Sequence, residues 1–274
     1  MQLHLETLQA PGSTPTRALV LLHGILGQGT NLRTLARRFV DARPSWQAVL
    51  VDLRAHGQSQ GVEGDDTVVT AADDVAQTAR ALPVPVRAVL GHSFGGKVAM
   101  LLPERLAGLE HLVILDSAPG QRLDFRGSEL TMTVLSTLDA APAVFPSREA
   151  FVAHLKAAGI DAGIGQWLAM NLERGAAGLH FTLSLGRIRS LLASYFASDC
   201  WPVLERMASD AGPGFHLVIG ARSKVFDAGD RERAMAIAAR SGGRCTVDVL
   251  QTGHWVHVED FEGTVRVLLE RVPA

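Results

Sequence analysis

Gly91-His92-Ser93-Phe94-Gly95-Gly96-Lys97 is the stretch on which the fold turns. An apolar run, Val86 to Leu90, ends directly before it, and an amphipathic stretch, Gly96 to Leu106, follows it. The order predicts a strand, a sharp turn and a helix. Within that turn Gly91-x-Ser93-x-Gly95 matches a nucleophile elbow. A serine on so tight a connection has strained backbone angles, and small flanking residues let strand and helix approach each other. Ser93 is expected to project above the sheet, with the first amides of the helix aimed at the same point.

Outward from the elbow, strands alternate with helices. Leu3 to Leu8 reads as an edge strand, and Ala18 to Leu22, Ala48 to Val51, His111 to Leu115, Phe215 to Ile219 and Arg244 to Leu250 as further strands. Helical stripes run over Asn31 to Asp41, Asp66 to Leu82, Asp230 to Arg240 and the C-terminal stretch from Val258 to Val272. Strands separated by helix-length crossovers must pair in parallel, so the fold class is α/β, a mostly parallel doubly wound sheet. No strand is expected between Ser117 and Pro213, far more chain than one crossover needs. Apolar spacing at Ile164, Trp167, Leu168, Asn171 and Leu172, and at Leu185, Ile188, Leu192 and Tyr195, makes this insertion helical, a cap over the sheet. The expected division is core over residues 1–118, cap over 119–197, and core again over 198–274.

Composition narrows the function classes. Apolar residues make up 47% and charged residues 20%, which fits a folded soluble protein. Lys plus Arg (26) nearly balances Asp plus Glu (28), so nucleic acid and anionic membranes are not implied partners. Cys200 and Cys245 lack any zinc-ligand or disulfide spacing, and no signal peptide or membrane span is evident, so a reducing cytoplasm is expected and no metal. Whether the chain is a monomer or a homodimer is left open.

A serine needs a base to become a nucleophile at neutral pH, and the base needs an orienting acceptor. His254, in Gln251-Thr252-Gly253-His254, follows the last predicted strand at the sheet edge where Ser93 emerges, and is the expected base; His257 is read as structural. Two carboxylates compete for the third place. Asp116 ends the strand beside the one that delivers Ser93, and ranks above Asp227, which lies in the loop after Phe215 to Ile219. Ser223, in that same loop, would add a hydrogen bond to Asp116, while Asp230 is expected to cap the helix from Arg231. The amides of Phe94 and of Ile25, in the His23-to-Gly27 loop, are the expected oxyanion donors. His23, Arg54 and His56 are read as bracing that loop. A dinucleotide-binding reading of Gly24, Gly27 and Gly29 with Asp52 fails on glycine order.

Together LLHGILG (21–27), VDLRAHGQS (51–59), GHSFGGKVAM (91–100), ILDSAPG (114–120) and TGHWVHVED (252–260) resemble the α/β-hydrolase superfamily over Leu3 to Val272. More narrowly they resemble small carboxylesterases whose elbow reads GHSMGGK and whose acid follows the sixth strand. That likeness implies an α/β-hydrolase fold with the cap inserted after that strand, Asp116 as catalytic acid and Ser223 as its helper. It also implies hydrolysis of simple acyl esters without a cofactor. Ala169 to Leu172 resembles an x-x-N-L element of that group's cap, while Phe94 in place of Met and Ala55-His56-Gly57 in place of Asn-His-Gly or Gly-His-Gly depart from it. Trp167, Leu168, Phe181 and Leu185 are expected among the apolar residues from which a cap could build an acyl pocket. Other chemistry on the same residues (thioester or C–C hydrolysis, a lyase reaction, perhydrolysis) and a non-catalytic ligand-binding protein are the rival readings.

Overall fold

The computed structural model describes residues 2–125, 127–209 and 212–274. Its strands are β1 (Leu5–Leu8), β2 (Arg17–Leu22), β3 (Trp46–Val51), β4 (Val86–His92), β5 (His111–Leu115), β6 (Leu172–Gly175), β7 (Gly178–Phe181), β8 (Gly214–Gly220) and β9 (Cys245–Leu250). Seven form one sheet in the order β1-β3-β2-β4-β5-β8-β9. Only β1 runs antiparallel to its neighbour; the other pairs are parallel. The fold is thus the α/β-hydrolase arrangement, and the strand that the resemblance numbers sixth is β5 in chain order.

The helices are α1 (Arg33–Ala42), α2 (Val68–Arg80), α3 (Phe94–Met100), α4 (Glu129–Asp139), α5 (Arg148–Ala157), α6 (Ala162–Leu168), α7 (Leu185–Ala197), α8 (Trp201–Ser209), α9 (Ala228–Arg240), α10 (Val256–Glu259) and α11 (Phe261–Arg271). Period-two alternation in β2 decides which helix lies where. Leu19 and Leu21 join Leu35, Phe39 and Leu268 of α1 and α11, whereas Val20 and Leu22 join Ala72, Val75 and Val98 of α2 and α3. Both faces of β2 and β3 are therefore covered, which explains why these strands are apolar throughout. α3 ends at Met100, short of the Leu106 expected, and turns containing Pro103 follow.

Between β5 and β8 lie α4 to α8, of which the helical stripes point to α6 and α7, together with an antiparallel hairpin, β6–β7, that they do not anticipate. The stripe through Ile164, Trp167 and Leu168 is α6, but Leu172 opens β6. The hairpin is fixed by a distant partner: Phe145 and Leu179 exchange backbone hydrogen bonds of 2.7 and 2.8 Å. Local periodicity carries no trace of that pairing. Arg187 of α7 ties this segment to the body, donating to both carboxylate oxygens of Asp66 at 2.7 Å and to the carbonyls of Val62 and Gln60.

Two glycines hold the elbow together. A Cβ on Gly91 would stand 2.3 Å from the Gly95 carbonyl oxygen, and one on Gly95 would stand 2.5 Å from those of Leu22 and His23. All of these obstacles are backbone. Gly95→Ala is accordingly expected to destabilise the fold by about 3 kcal/mol or more, read from its urea midpoint. A variant with the wild-type midpoint would contradict the close packing described.

Candidate active site

The elbow exists because β4 delivers the chain directly into α3 with one residue to turn on. That residue is Ser93, at φ 52° and ψ −116°. A non-glycine residue at positive φ stores strain, and here the strain sets the hydroxyl above the turn. Asp116 also has positive φ, 44°, at the tip of β5. His254 lies in the loop between β9 and α10.

The topology brings these tips together. His254 Nε2 stands 3.0 Å from Ser93 Oγ, and its Nδ1 stands 2.7 Å from Asp116 Oδ2. A carboxylate only accepts, so Nδ1 carries the proton and Nε2 is left to accept from the serine hydroxyl. Asp116 is fully buried and its other contacts hold it still: Gly220 N–H donates to Oδ1 at 3.0 Å, and Ser223 Oγ donates to Oδ2. Of the two acids weighed from sequence, only Asp116 meets the histidine. Asp227 caps α9 by accepting from Asp230 N–H at 2.8 Å. Asp230, the residue expected to cap, pairs instead with Arg122 at 2.6 Å, because α9 starts three residues earlier than the apolar pattern suggests.

His23 and His56 lock the glycine-rich loop after β2. His23 Nδ1 faces the Gly24 carbonyl at 2.7 Å and its Nε2 accepts from Leu53 N–H at 3.0 Å. His56 repeats the pattern, with Nδ1 on the Arg54 carbonyl at 2.8 Å and Nε2 accepting from Leu26 N–H at 3.0 Å. Leu26 N–H is thereby occupied, and the neighbouring Ile25 lines the pocket together with Phe94. Arg54 works one layer further out, donating to the carbonyls of Asp65 and Glu63 at 2.7 and 2.6 Å. Asp52, the residue a dinucleotide reading would need, is taken up by the amides of Gly29 and Gln58 at 2.7 and 2.9 Å.

A model of the alpha/beta hydrolase family matches residues 19–267. The chain belongs to that family. It is 26% identical over 265 residues to the mouse (Mus musculus) sn-1-specific diacylglycerol lipase ABHD11, covering 94% of this chain and 82% of that protein. It is 32% identical over 123 residues to Esterase YbfF of Escherichia coli, covering 43% of this chain and 46% of that one. Among solved structures, a marine microorganism esterase aligns over 99% of both chains with TM-score 0.79 at 18% identity. A likeness of that identity speaks for the fold.

In this alpha/beta hydrolase a pocket of about 410 Å³ opens over Ser93 and His254, walled by Ile25, Phe94, Val134, Trp167, Leu192, Tyr195 and Trp255, among others. Of the four apolar residues expected there from the inserted segment, Trp167 lines it. Leu168 and Leu185 do not, and Phe181 stacks on Phe151 instead. Sequence reasoning missed Tyr195 and Leu192 as lining residues although both lay on a recognised stripe, because periodicity finds a buried face without telling core from pocket. It also missed Lys97. Its ammonium, completely buried behind the elbow, donates to the carbonyls of Gly120, Tyr195 and Ser198 at 2.9, 2.7 and 3.0 Å and lies 4.4 Å from the Tyr195 ring centroid. Burial pushes it down to about 8. Among the described residues no cluster of three or more His, Cys, Asp or Glu suits a metal, and no helix is long and apolar enough to cross a membrane.

The buried histidines make the fold acid-sensitive. Desolvation pushes His23 down to about 4, His56 to about 3 and His257 to about 4, and holds His92 well below its ordinary value. Unfolded, each takes a proton near pH 6.5; folded, none does until much lower. The unfolded chain therefore binds more protons in this window, and stability falls as pH drops from about 6.5 to about 4. Urea unfolding at a series of pH values is expected to show this decline, with uptake of two protons or more. A flat profile would contradict it.

Proposed function

We propose that the protein is a carboxylesterase that cleaves acyl esters through a covalent acyl-serine. Ser93 Oγ attacks the ester carbonyl while His254 Nε2 takes its proton. Asp116 fixes the imidazole's tautomer and stabilises the imidazolium, and Ser223 and the Gly220 amide hold Asp116 in place. The amides of Ile25 and Phe94 receive the charge that grows on the carbonyl oxygen. His254 then passes the proton to the departing alcohol oxygen. Water, deprotonated by the same nitrogen, releases the acid and restores the serine. The serine's original proton leaves with the alcohol, one of water's protons replaces it on Ser93, and the net reaction of ester and water to acid and alcohol requires no cofactor.

The observation that carries this reading is the unbroken chain of Ser93 Oγ, His254 and Asp116, at 3.0 and 2.7 Å, at the foot of a pocket whose lining joins apolar side chains with polar ones such as Glu129, Arg222 and Lys224. The names of the relatives, an esterase and a diacylglycerol lipase, support the ester class. Residues 119–197 are read as a lid, supported by the lining residues that they lend to the pocket, Val134, Ile164, Trp167, Leu192 and Tyr195 among them, and by the Arg187 clasp. The substrate partner is a small acyl ester.

The test is hydrolysis of p-nitrophenyl acetate, butyrate and octanoate by wild type and Ser93→Ala. Turnover that disappears in the variant is expected, and the ratio across the three esters gives the acyl preference. Equal turnover by both proteins would overturn the proposal.

A further inference from the structure

We propose that the indoles of Trp167 and Trp255 form the wall that receives the alcohol portion of the ester, so that preferred substrates carry a flat apolar alcohol such as a benzyl or naphthylmethyl group. The inference rests on the esterase reading above. Its first step is directional. His254 Nε2 must deliver a proton to the departing alcohol oxygen, so the alcohol lies on the histidine's side of Ser93 and the acyl chain on the other. What stands on the histidine's side is therefore what the alcohol meets.

Trp255 follows His254 directly, its ring centroid 6.1 Å from that of His254 and 5.5 Å from that of His92. Trp167, arriving on α6 from the inserted segment, meets Trp255 edge-on, with centroids 4.8 Å apart and planes at 75°. Both indoles are only partly buried and both line the pocket, as does Ile164, one turn before Trp167. Because neither indole is fully buried and both line the pocket, the pair presents aromatic surface to a flat group there. The rest of the pocket has another character. Phe94 and Tyr195, 6.1 Å apart, are joined there by Val134 and Leu192, and the Lys97 ammonium clamps the Tyr195 ring. That side combines two braced aromatic rings with two branched aliphatic side chains, an apolar surface suited to an acyl chain.

The experiment compares kcat/KM for ethyl, benzyl and 2-naphthylmethyl acetate in wild type, Trp167→Ala and Trp167→Phe. The naphthylmethyl-to-ethyl ratio is expected to fall about tenfold in Trp167→Ala and to be largely rescued in Trp167→Phe, with the loss in KM more than in kcat. An unchanged ratio, or an altered dependence on acyl length across ethyl acetate, butyrate and octanoate, would overturn the assignment. A second reading needs no turnover: 2-naphthylmethanol should quench tryptophan fluorescence of Ser93→Ala and lose affinity in Ser93→Ala/Trp167→Ala. Equal affinity in both would also overturn it. Quenching without any wild-type ester turnover would overturn the esterase reading, and with it the assignment of this wall to an alcohol.

Discussion

Asp116→Asn is expected to lower kcat by about 10⁴ while leaving the folded protein in place. The carboxylate accepts from His254 Nδ1, Ser223 Oγ and Gly220 N–H. An asparagine can present its NH₂ toward Nδ1 and force the imidazole into the other tautomer, with a proton on Nε2 where the Ser93 hydroxyl must donate. The same replacement at Asp227, which caps α9, should leave kcat near wild type and cost about 1 kcal/mol of stability. Steady-state kinetics on p-nitrophenyl acetate with both variants decides. A large loss in Asp227→Asn and none in Asp116→Asn would reverse the assignment.

His56→Ala is expected to act on the glycine-rich loop proposed to supply an oxyanion donor, although His56 lies outside the pocket. It strands two buried groups, the Leu26 amide and the Arg54 carbonyl, which His56 now pairs at 3.0 and 2.8 Å. At about 1–3 kcal/mol for each unsatisfied group, the loss of stability should be several kcal/mol. Leu26 sits at φ 65°, so the loop is held in a sparsely populated conformation by exactly such contacts, and the neighbouring Ile25 amide should drift once they go. The folded variant should then lose about 10² in kcat, the size expected for one oxyanion donor. Kinetics at a temperature where circular dichroism shows the variant folded separates the two effects. Full activity there would mean that Ile25 is not a donor.

The parts of this molecule that were legible in the sequence share a cause. The strand, turn and helix around Ser93, the alternation that builds the sheet, and the order Ser93, Asp116, His254 all follow from short-range pattern combined with a topology that gathers strand tips at one edge. The preference for Asp116 over Asp227 also came from topology, since its strand was expected beside the one that delivers Ser93, as β5 lies beside β4; that Asp227, and not Asp230, caps α9 was not legible. What was illegible depends on contacts between segments far apart. The β6–β7 hairpin needs Phe145, the role of Lys97 needs the carbonyls of Tyr195 and Ser198, and the edge-to-face contact of Trp167 with Trp255 joins residues from the inserted segment and the C-terminal loop. Nothing in a local window encodes such meetings.

The proposed function stands on Ser93 as a nucleophile activated by His254. Its most direct test is intact-protein mass spectrometry after exposure to a fluorophosphonate, on wild type, Ser93→Ala and His254→Ala, with peptide mapping of the adduct. One adduct per chain is expected, located on Ser93, absent in Ser93→Ala and formed at least about a hundredfold more slowly in His254→Ala. An adduct on another residue, or labelling of Ser93→Ala at the wild-type rate, would contradict it.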